Sequence, residues 1–290
     1  MKTEPDGLRE SAVFKSTSFN GKTIVITGGA GGIGQSLAEK FLAEGASVFV
    51  WDLNEVGLEK LQRQAQGRGE DCHIRVVDVT SAKQMSAALE SLLTVRRKVD
   101  VWVNNAGMAG LGSFGELSAE RFEKVIQLNL GSVVHGSRLA LSHMEEFGGG
   151  WIINMASVAG HLAAPFMTAY SATKHAVVGF TRALREELRL QNSGVRVMLV
   201  SPGFVDTSLI SKGEKLGFPS WLEWALATPD HVTHEIMTGL RRQREEVFPT
   251  WNGKLMLQLF RFFPNVTLRS SKVLLTRSFK DYLLNRYTVE

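Results

Sequence analysis

The chain has 290 residues, 44% hydrophobic and 21% charged, with 33 Lys and Arg against 29 Asp and Glu. Enough apolar surface is present to bury a large core, which excludes a chain disordered throughout. A formal net charge of +4 is a mild excess, and no basic stretch is interleaved with aromatic residues, so nucleic acid is not an expected partner.

Residues 1–20 mix Lys2, Glu4, Asp6, Arg9 and Glu10 with small polar residues and read as an N-terminal arm without the apolar centre of a secretory signal. No run of eighteen apolar residues follows, so no spanning helix is expected. The single cysteine, Cys72, cannot form an internal disulfide; it stands before an apolar run and reads as a small core residue in a reducing, cytoplasmic setting. Seven histidines show no ligand spacing, and no metal is expected. No Pro/Ser-rich linker or charge block divides the chain, which predicts one domain over 21–248 and an extension over 249–290.

From residue 21 onward, short apolar runs alternate with amphipathic stretches. The runs are TIVIT (23–27), ASVFVWD (46–52), HIRVVDV (73–79), VDVWVNNAG (99–107), GWIINMAS (150–157) and VRVMLVSPG (195–203), and each predicts a buried strand. Between them Leu37, Phe41 and Leu42, or Met85, Leu89 and Leu92, recur at helical spacing. The alternation predicts an α/β fold with a doubly wound, Rossmann-like parallel sheet, in which ligands gather at the carboxyl ends of the strands.

The first strand ends in TGGAGGIG, Thr27 to Gly34, directly before a helix expected from about Gln35. Gly28, Gly32 and Gly34 would let the backbone approach a pyrophosphate, with the amides and positive dipole end of the helix directed at it. The second strand ends in Asp52, at the spacing where an acid meets the adenosine ribose. A carboxylate accepts from a free 2′-hydroxyl and repels a 2′-phosphate. Neither Lys nor Arg lies in the loop or beside Asp52, so NAD is expected over NADP. The same residues also suit a glycine turn without a nucleotide and an Asp52 that caps a helix.

The remaining strand ends read DVT (78–80), NNAG (104–107), NMAS (154–157) and SPGFVDT (201–207). With the glycine loop, an isolated Asn129, Ser157 thirteen residues before the Tyr170 of a YxxxK, and a PG before Thr207, residues 20 to 210 resemble the short-chain dehydrogenase/reductase family. The resemblance implies that Tyr170 is the general acid/base, that Lys174 tunes it and bonds the nicotinamide ribose, that Ser157 hydrogen-bonds the reacting oxygen, and that Asn129 anchors a water in a relay to Lys174. It further implies cofactor contacts at Ile33 in the glycine loop, at Asp78 and Val79 against adenine, at Asn105, Ala106 and Gly107, at Pro202, Gly203 and Val205, and at Thr207 beside the carboxamide. Homodimers or homotetramers packed through the helices carrying Asn129 and Tyr170 are implied as well. Independently, Tyr170 and Lys174 at i and i+4 share a helix face. An ammonium there is expected to lower the phenol from its ordinary value of about 10, so that the pair exchanges a proton with an alcohol near neutral pH.

The expected activity is NAD-dependent interconversion of an alcohol and its carbonyl compound. A nucleotide-binding sensor or a membrane-surface scaffold with little turnover is the alternative. Residues 208–230 stand where a substrate lid is expected, and Leu209, Ile210, Leu216, Phe218, Trp221, Leu222, Trp224 and Leu226 suit a small hydrophobic substrate such as a steroid, retinoid, long-chain or aryl alcohol. Core packing of a surface helix explains the same residues equally well. Residues 241–290 hold ten Lys or Arg against four acids. Within WNGKLMLQLFRFF, Lys254, Gln258 and Arg261 form a thin polar stripe on an otherwise apolar helix that Pro264 stops. Such a helix is expected either to pack against the lid and a neighbouring subunit or to lie in the headgroup layer of an anionic membrane, giving peripheral association.

Overall fold

In the computed structural model, which describes residues 18–110, 112–206 and 226–263, all six apolar runs become strands. The order is β1 (Thr23–Thr27), α1 (Gly32–Ala43), β2 (Ser47–Asp52), α2 (Glu55–Gly67), β3 (Cys72–Val76), α3 (Ala82–Leu93), β4 (Val101–Asn104), α4 (Ala119–Ile126), α5 (Ser132–Glu146) and β5 (Gly150–Met155). It continues with α6 (Thr168–Leu190), β6 (Val195–Val200), α7 (Pro229–Arg241), β7 (Glu246–Val247) and α8 (Trp251–Phe262). Strands β1 and β2 end with their runs, whereas β3 to β6 end earlier, because Val77–Val79, Asn105–Gly107, Ala156–Ser157 and Ser201–Gly203 lie outside the strands. Helix α1 begins at Gly32, three residues before the expected start.

One sheet runs β3-β2-β1-β4-β5-β6-β7, with every pairing parallel. The chain moves outward from β1 to β3 and then returns to lay β4 on the other side of β1. That reversal opens a crevice above the carboxyl ends of β1 and β4. Strand β7 is too short for any periodicity in sequence. It is tied to α6 by a bidentate pair from Arg182 to Glu246, with N–O distances of 2.7 and 2.9 Å.

Alternate residues along each strand enter opposite faces, as the two-residue period of a pleated strand requires. Ile24, Ile26, Val48, Val50, Val101 and Val103 pack with Leu37, Phe41 and Leu58 on one face, joined by Ile236 and Leu240. Val25, Phe49, Trp51, Trp102 and Ile152 pack with Met85, Leu89 and Met144 on the other. Cys72 is buried, as expected, and its thiol is pushed up to about 11 by that burial, which leaves it a neutral packing group. Trp51 and Trp102 meet edge to face at 5.2 Å.

A polar ladder crosses the second face directly beneath the crevice. Trp102 Nε1 donates to Asn104 Oδ1 (2.8 Å), Asn104 Nδ2 donates to Ser137 Oγ (3.1 Å) and Asn154 Oδ1 (2.8 Å), and Asn154 Nδ2 donates to Thr181 Oγ1 (3.1 Å). Asn104 and Asn154 are register partners on β4 and β5, so the ladder sets α5 and α6 against the sheet at fixed height. Buried amides are costly unless bonded, and here each is bonded. Gly136 on α5 is what allows the approach: a Cβ there would overlap Asn104 Oδ1 and stand 2.9 Å from Trp102 Nε1. Gly136→Ala is therefore expected to destabilise the fold by about 1–3 kcal/mol. Gly67→Ala, where a Cβ meets nothing within 4 Å, is expected to stabilise it by about 0.5 kcal/mol. Thermal unfolding of both variants measures the difference, and equal melting temperatures would contradict the ladder's role.

Candidate active site

The crevice is built from β1 outward. Gly28, with φ of 66°, adopts a left-handed conformation that a side chain would strain, and a Cβ there would lie 2.7 Å from the backbone of Ala106. At Gly34 a Cβ would overlap the carbonyl of Gly28, so α1 starts flush against the loop. Thr27 Oγ1 accepts from the amides of Asn105 (3.0 Å) and Ala106 (3.2 Å), and Asn105 Nδ2 donates to the carbonyls of Thr27 (3.1 Å) and Gly28 (2.8 Å). The glycine loop and the NNAG segment thus form one wall.

Among the described residues five α-helices carry a side-chain cap, from Asn54, Ser81, Ser118, Thr228 and Thr250. Helix α1 opens instead at an extended Gly31 with no side-chain cap and no acid in its first turn. Its first-turn amides retain the positive end of the helix dipole for an anion. A dinucleotide pyrophosphate fits that end. At the end of β2, Asp52 accepts from the amides of Ala30 (3.0 Å) and Asn54 (2.9 Å), one to each oxygen, which anchors the carboxylate beside the glycine loop.

Other expected contacts divide by what their side chains do. Asp78 Oδ1 accepts from Thr80 N (2.9 Å) and Thr80 Oγ1 (2.7 Å), which shapes its own turn at the end of β3. Val79 and Val205 are core residues, and Ile33 packs against the core. The side chains of Val79 and Val205 are taken up by that packing, whereas Ile33 is only half-buried. Pro202 accepts from Val158 N (2.9 Å), and Gly203 N donates to Thr250 Oγ1 (2.9 Å), joining the end of β6 to the first turn of α8. The boundary expected at residue 248 is therefore crossed by direct contacts. Thr207 and most of the expected lid lie outside the described residues; Leu226 is half-buried.

Ser157, Asn129, Tyr170 and Lys174 come together at the other end of the crevice. Ser157 follows β5 and starts a short 3₁₀ turn, Val158–Gly160, with Ala159 N donating to Ser157 Oγ (3.2 Å). That turn lies against α6. A Cβ at Gly160 would stand 2.6 Å from the Lys174 carbonyl, and Ser171 Oγ donates to the Ala159 carbonyl (2.8 Å). The Ser157 hydroxyl donates to the Pro202 carbonyl (3.4 Å), and it stands on the side of the crevice where it draws the Tyr170 phenol down. Asn129 lies in a π-helical turn, Gln127–Gly131, between α4 and α5, and is wholly buried. It exchanges two bonds with the Met108 backbone, at 2.8 and 2.9 Å, and donates to Thr173 Oγ1 (3.2 Å). Gly107 separates Asn129 from Lys174, since a Cβ there would lie 3.1 Å from Asn129 Oδ1 and 3.8 Å from Lys174 Nζ.

Lys174 Nζ donates to the Met155 carbonyl (2.8 Å) and lies 5.6 Å from the Tyr170 ring centroid. Burial lowers the ammonium from its usual range to about 8. The phenol departs from expectation. Burial pushes Tyr170 up, and the Ser157 hydrogen bond draws it only partly back. Spacing in sequence shows the cation near the phenol but not the desolvation of both, and desolvation wins here. Spacing in sequence does not show the parts taken by Thr27 and Thr250, whose hydroxyls accept from remote backbone amides, by Met155, whose carbonyl accepts from Lys174, or by Thr173, whose hydroxyl accepts from Asn129. Thr250 alone carried a signal, as a threonine directly before a helical run.

The family model for short chain dehydrogenase matches residues 22–215. The chain is 35% identical over 189 residues to 3-oxoacyl-[acyl-carrier-protein] reductase FabG of Chlamydia trachomatis serovar D, covering 65% of this chain and 75% of that protein. It is 36% identical over 201 residues to human 15-hydroxyprostaglandin dehydrogenase [NAD(+)], covering 68% and 73%. A short chain dehydrogenase/reductase of Burkholderia phymatum in complex with NAD superposes with a TM-score of 0.76 at 27% identity, covering 87% of this chain and 96% of that one. The glycine loop, the NNAG wall and the Ser, Tyr and Lys of the crevice all fall within the matched stretch, which exceeds half of the chain, and the protein belongs to the short-chain dehydrogenase/reductase family.

Proposed function

We propose that this chain is an NAD-dependent oxidoreductase that interconverts an apolar alcohol and its carbonyl compound, with Tyr170 as the proton carrier. The observation that carries the reading is the buried Lys174 ammonium 5.6 Å from the Tyr170 ring, with Ser157 at the end of the neighbouring strand, in a crevice whose other end is an uncapped helix. When bound, the dinucleotide supplies the hydride acceptor or donor. The first-turn amides of α1 would hold its pyrophosphate, Asp52 its adenosine ribose, Asn105 to Gly107 its flank, and Lys174 its nicotinamide ribose. Relatives named for NAD(+) and for complex formation with NAD support this choice, as does the exposed Leu53, rather than a cation, next to Asp52. Other relatives' names, a 3-oxoacyl reductase and a 15-hydroxyprostaglandin dehydrogenase, support an oxygen function on an apolar skeleton.

In the reducing direction the neutral Tyr170 phenol donates its proton to the oxygen that becomes the alcohol, and Ser157 fixes that oxygen. In the oxidising direction the ionised phenol takes the alcohol proton. Lys174, mostly cationic at neutral pH with its value of about 8, stabilises the phenolate. Asn129 holds the Met108 backbone and Thr173, and so the α6 turn that carries both groups.

Tyr170→Phe is expected to bind NAD by calorimetry with unchanged affinity and to lose turnover by roughly 10²–10⁴-fold. Activity near that of the unmodified chain would refute the assignment. The pH dependence follows from proton balance. Because burial raises the phenol, alcohol oxidation is expected to rise with pH above neutrality, and carbonyl reduction to fall over the same range. Lys174→Met should move both limbs further to alkaline pH; profiles coincident with the parent would rule out coupling. Asp52→Ser combined with Leu53→Arg is expected to raise the NADP to NAD preference by at least about tenfold, read from kcat/KM ratios. An unmodified chain that already prefers NADP would overturn the reading of Asp52.

A further inference from the structure

We infer that helix α8 is a docking surface for an anionic lipid bilayer, a role that stands apart from the chemistry of the crevice. The helix has two sides. Asn252 and Gly253 are buried, and Met256, Leu257 and Phe260 are half-buried against the protein. On the outer side Leu255, Leu259 and Phe262, at i, i+4 and i+7, are 46, 45 and 70% exposed, and Trp251, 51% exposed, continues the same stripe by one turn. Lys254, Gln258 and Arg261, also exposed, run alongside at the same spacing. Neither Lys254 nor Arg261 forms an ion pair among the described residues.

Charge selects the occupant. No Asp or Glu occurs from Val247 to Phe263, and residues 241–290 carry an excess of six positive charges. A second copy packed on this face by a two-fold axis would bring basic stripes together without acids from the helix to pair them. Four side chains also cover only on the order of a few hundred Å², short of the roughly 800 Å² per partner of a stable dimer. A leaflet of acidic phospholipid meets both needs, taking the apolar stripe below the headgroups and pairing phosphates with Lys254 and Arg261. Among the described residues no helix is long and apolar enough to cross a membrane, so the contact is one of lying on the surface. Because the first turn of α8 is bonded to Gly203, such docking sets the crevice beside the bilayer, where apolar alcohols partition.

The test is flotation of the full chain with phosphatidylcholine vesicles, with and without phosphatidylglycerol. Binding is expected to the vesicles containing phosphatidylglycerol and to be released by raised salt. Leu255→Ser, Leu259→Ser and Phe262→Ser together should weaken it by at least about tenfold. Lys254→Glu with Arg261→Glu, at exposed positions, should do so by roughly tenfold or more and carries the test if the triple variant does not fold, as judged by thermal unfolding. The inference is overturned if the full chain fails to float with phosphatidylglycerol present, if it floats equally on phosphatidylcholine alone, or if the folded variants float as the parent does. A parent that does not float but is a dimer, which the triple variant converts to a monomer, would assign the face to a second copy instead. None of these readouts depends on turnover.

Discussion

A buried ammonium organises the site. Lys174 reaches the interior on α6 with the Met155 carbonyl as its hydrogen-bond acceptor, and its desolvation is enough to bring it down to about 8. A charge in that position is costly unless the surroundings hold it in one place. The surroundings do so by backbone contact: the Ser157 turn presses on α6 at Gly160, Asn129 grips Met108 and Thr173, and Gly107 leaves the space between Asn129 and the lysine. Tyr170, half-buried, stands one helical turn away, and burial raises its phenol. Two desolvated groups of opposite tendency are thereby kept close, which is the arrangement that proton transfer to and from a substrate oxygen requires.

The sheet explains why these parts converge. Every strand is parallel, so every carboxyl end points to one side, and the return of the chain past β1 opens that side between the glycine loop and the NNAG segment. Beneath it, the ladder from Trp102 through Asn104 and Asn154 to Thr181 locks α5 and α6 to the sheet. The helices that deliver Asn129, Tyr170 and Lys174 therefore have little freedom to slide. At the far end, the contact of Gly203 with Thr250 makes α8 part of the same wall.

Much of this was legible in the sequence, for physical reasons. Strands buried on both faces read as continuous apolar runs, which located β1, β2 and β4 to β6; β3, expected to be buried as well, is the edge strand, where only Cys72 is buried and Arg75 and Val76 are exposed. The runs extend past the ends of β3 and β4, because Val77 and Val79, or Ala106 and Gly107, continue the apolar or small pattern after the chain has left the sheet. β7 carries too few residues to form a pattern. The motif residues stand out because the glycine loop and the Tyr170/Lys174 pair have fixed spacings, and the structure brings Asn129, Ser157, Tyr170 and Lys174 to one end of the crevice. The parts taken by Thr27 and Thr250 were not legible, since each bonds a remote backbone amide, nor was that of Met155, which lends its own carbonyl to Lys174. The direction of the Tyr170 shift was missed for a similar reason: charge proximity is written in sequence, whereas burial is set by the fold.

A crevice that performs the proposed redox chemistry, rather than only holding a nucleotide, transfers hydride between NAD and an alcohol. The most direct measurement is the near-ultraviolet absorbance of reduced nicotinamide after the full chain is mixed with NAD and a panel of apolar alcohols at alkaline pH. The account predicts that the absorbance grows for at least one alcohol, at a rate proportional to enzyme concentration. NAD that binds by calorimetry yet is reduced with no alcohol of the panel, together with reduced nicotinamide that is oxidised by none of the matching carbonyl compounds, would contradict it.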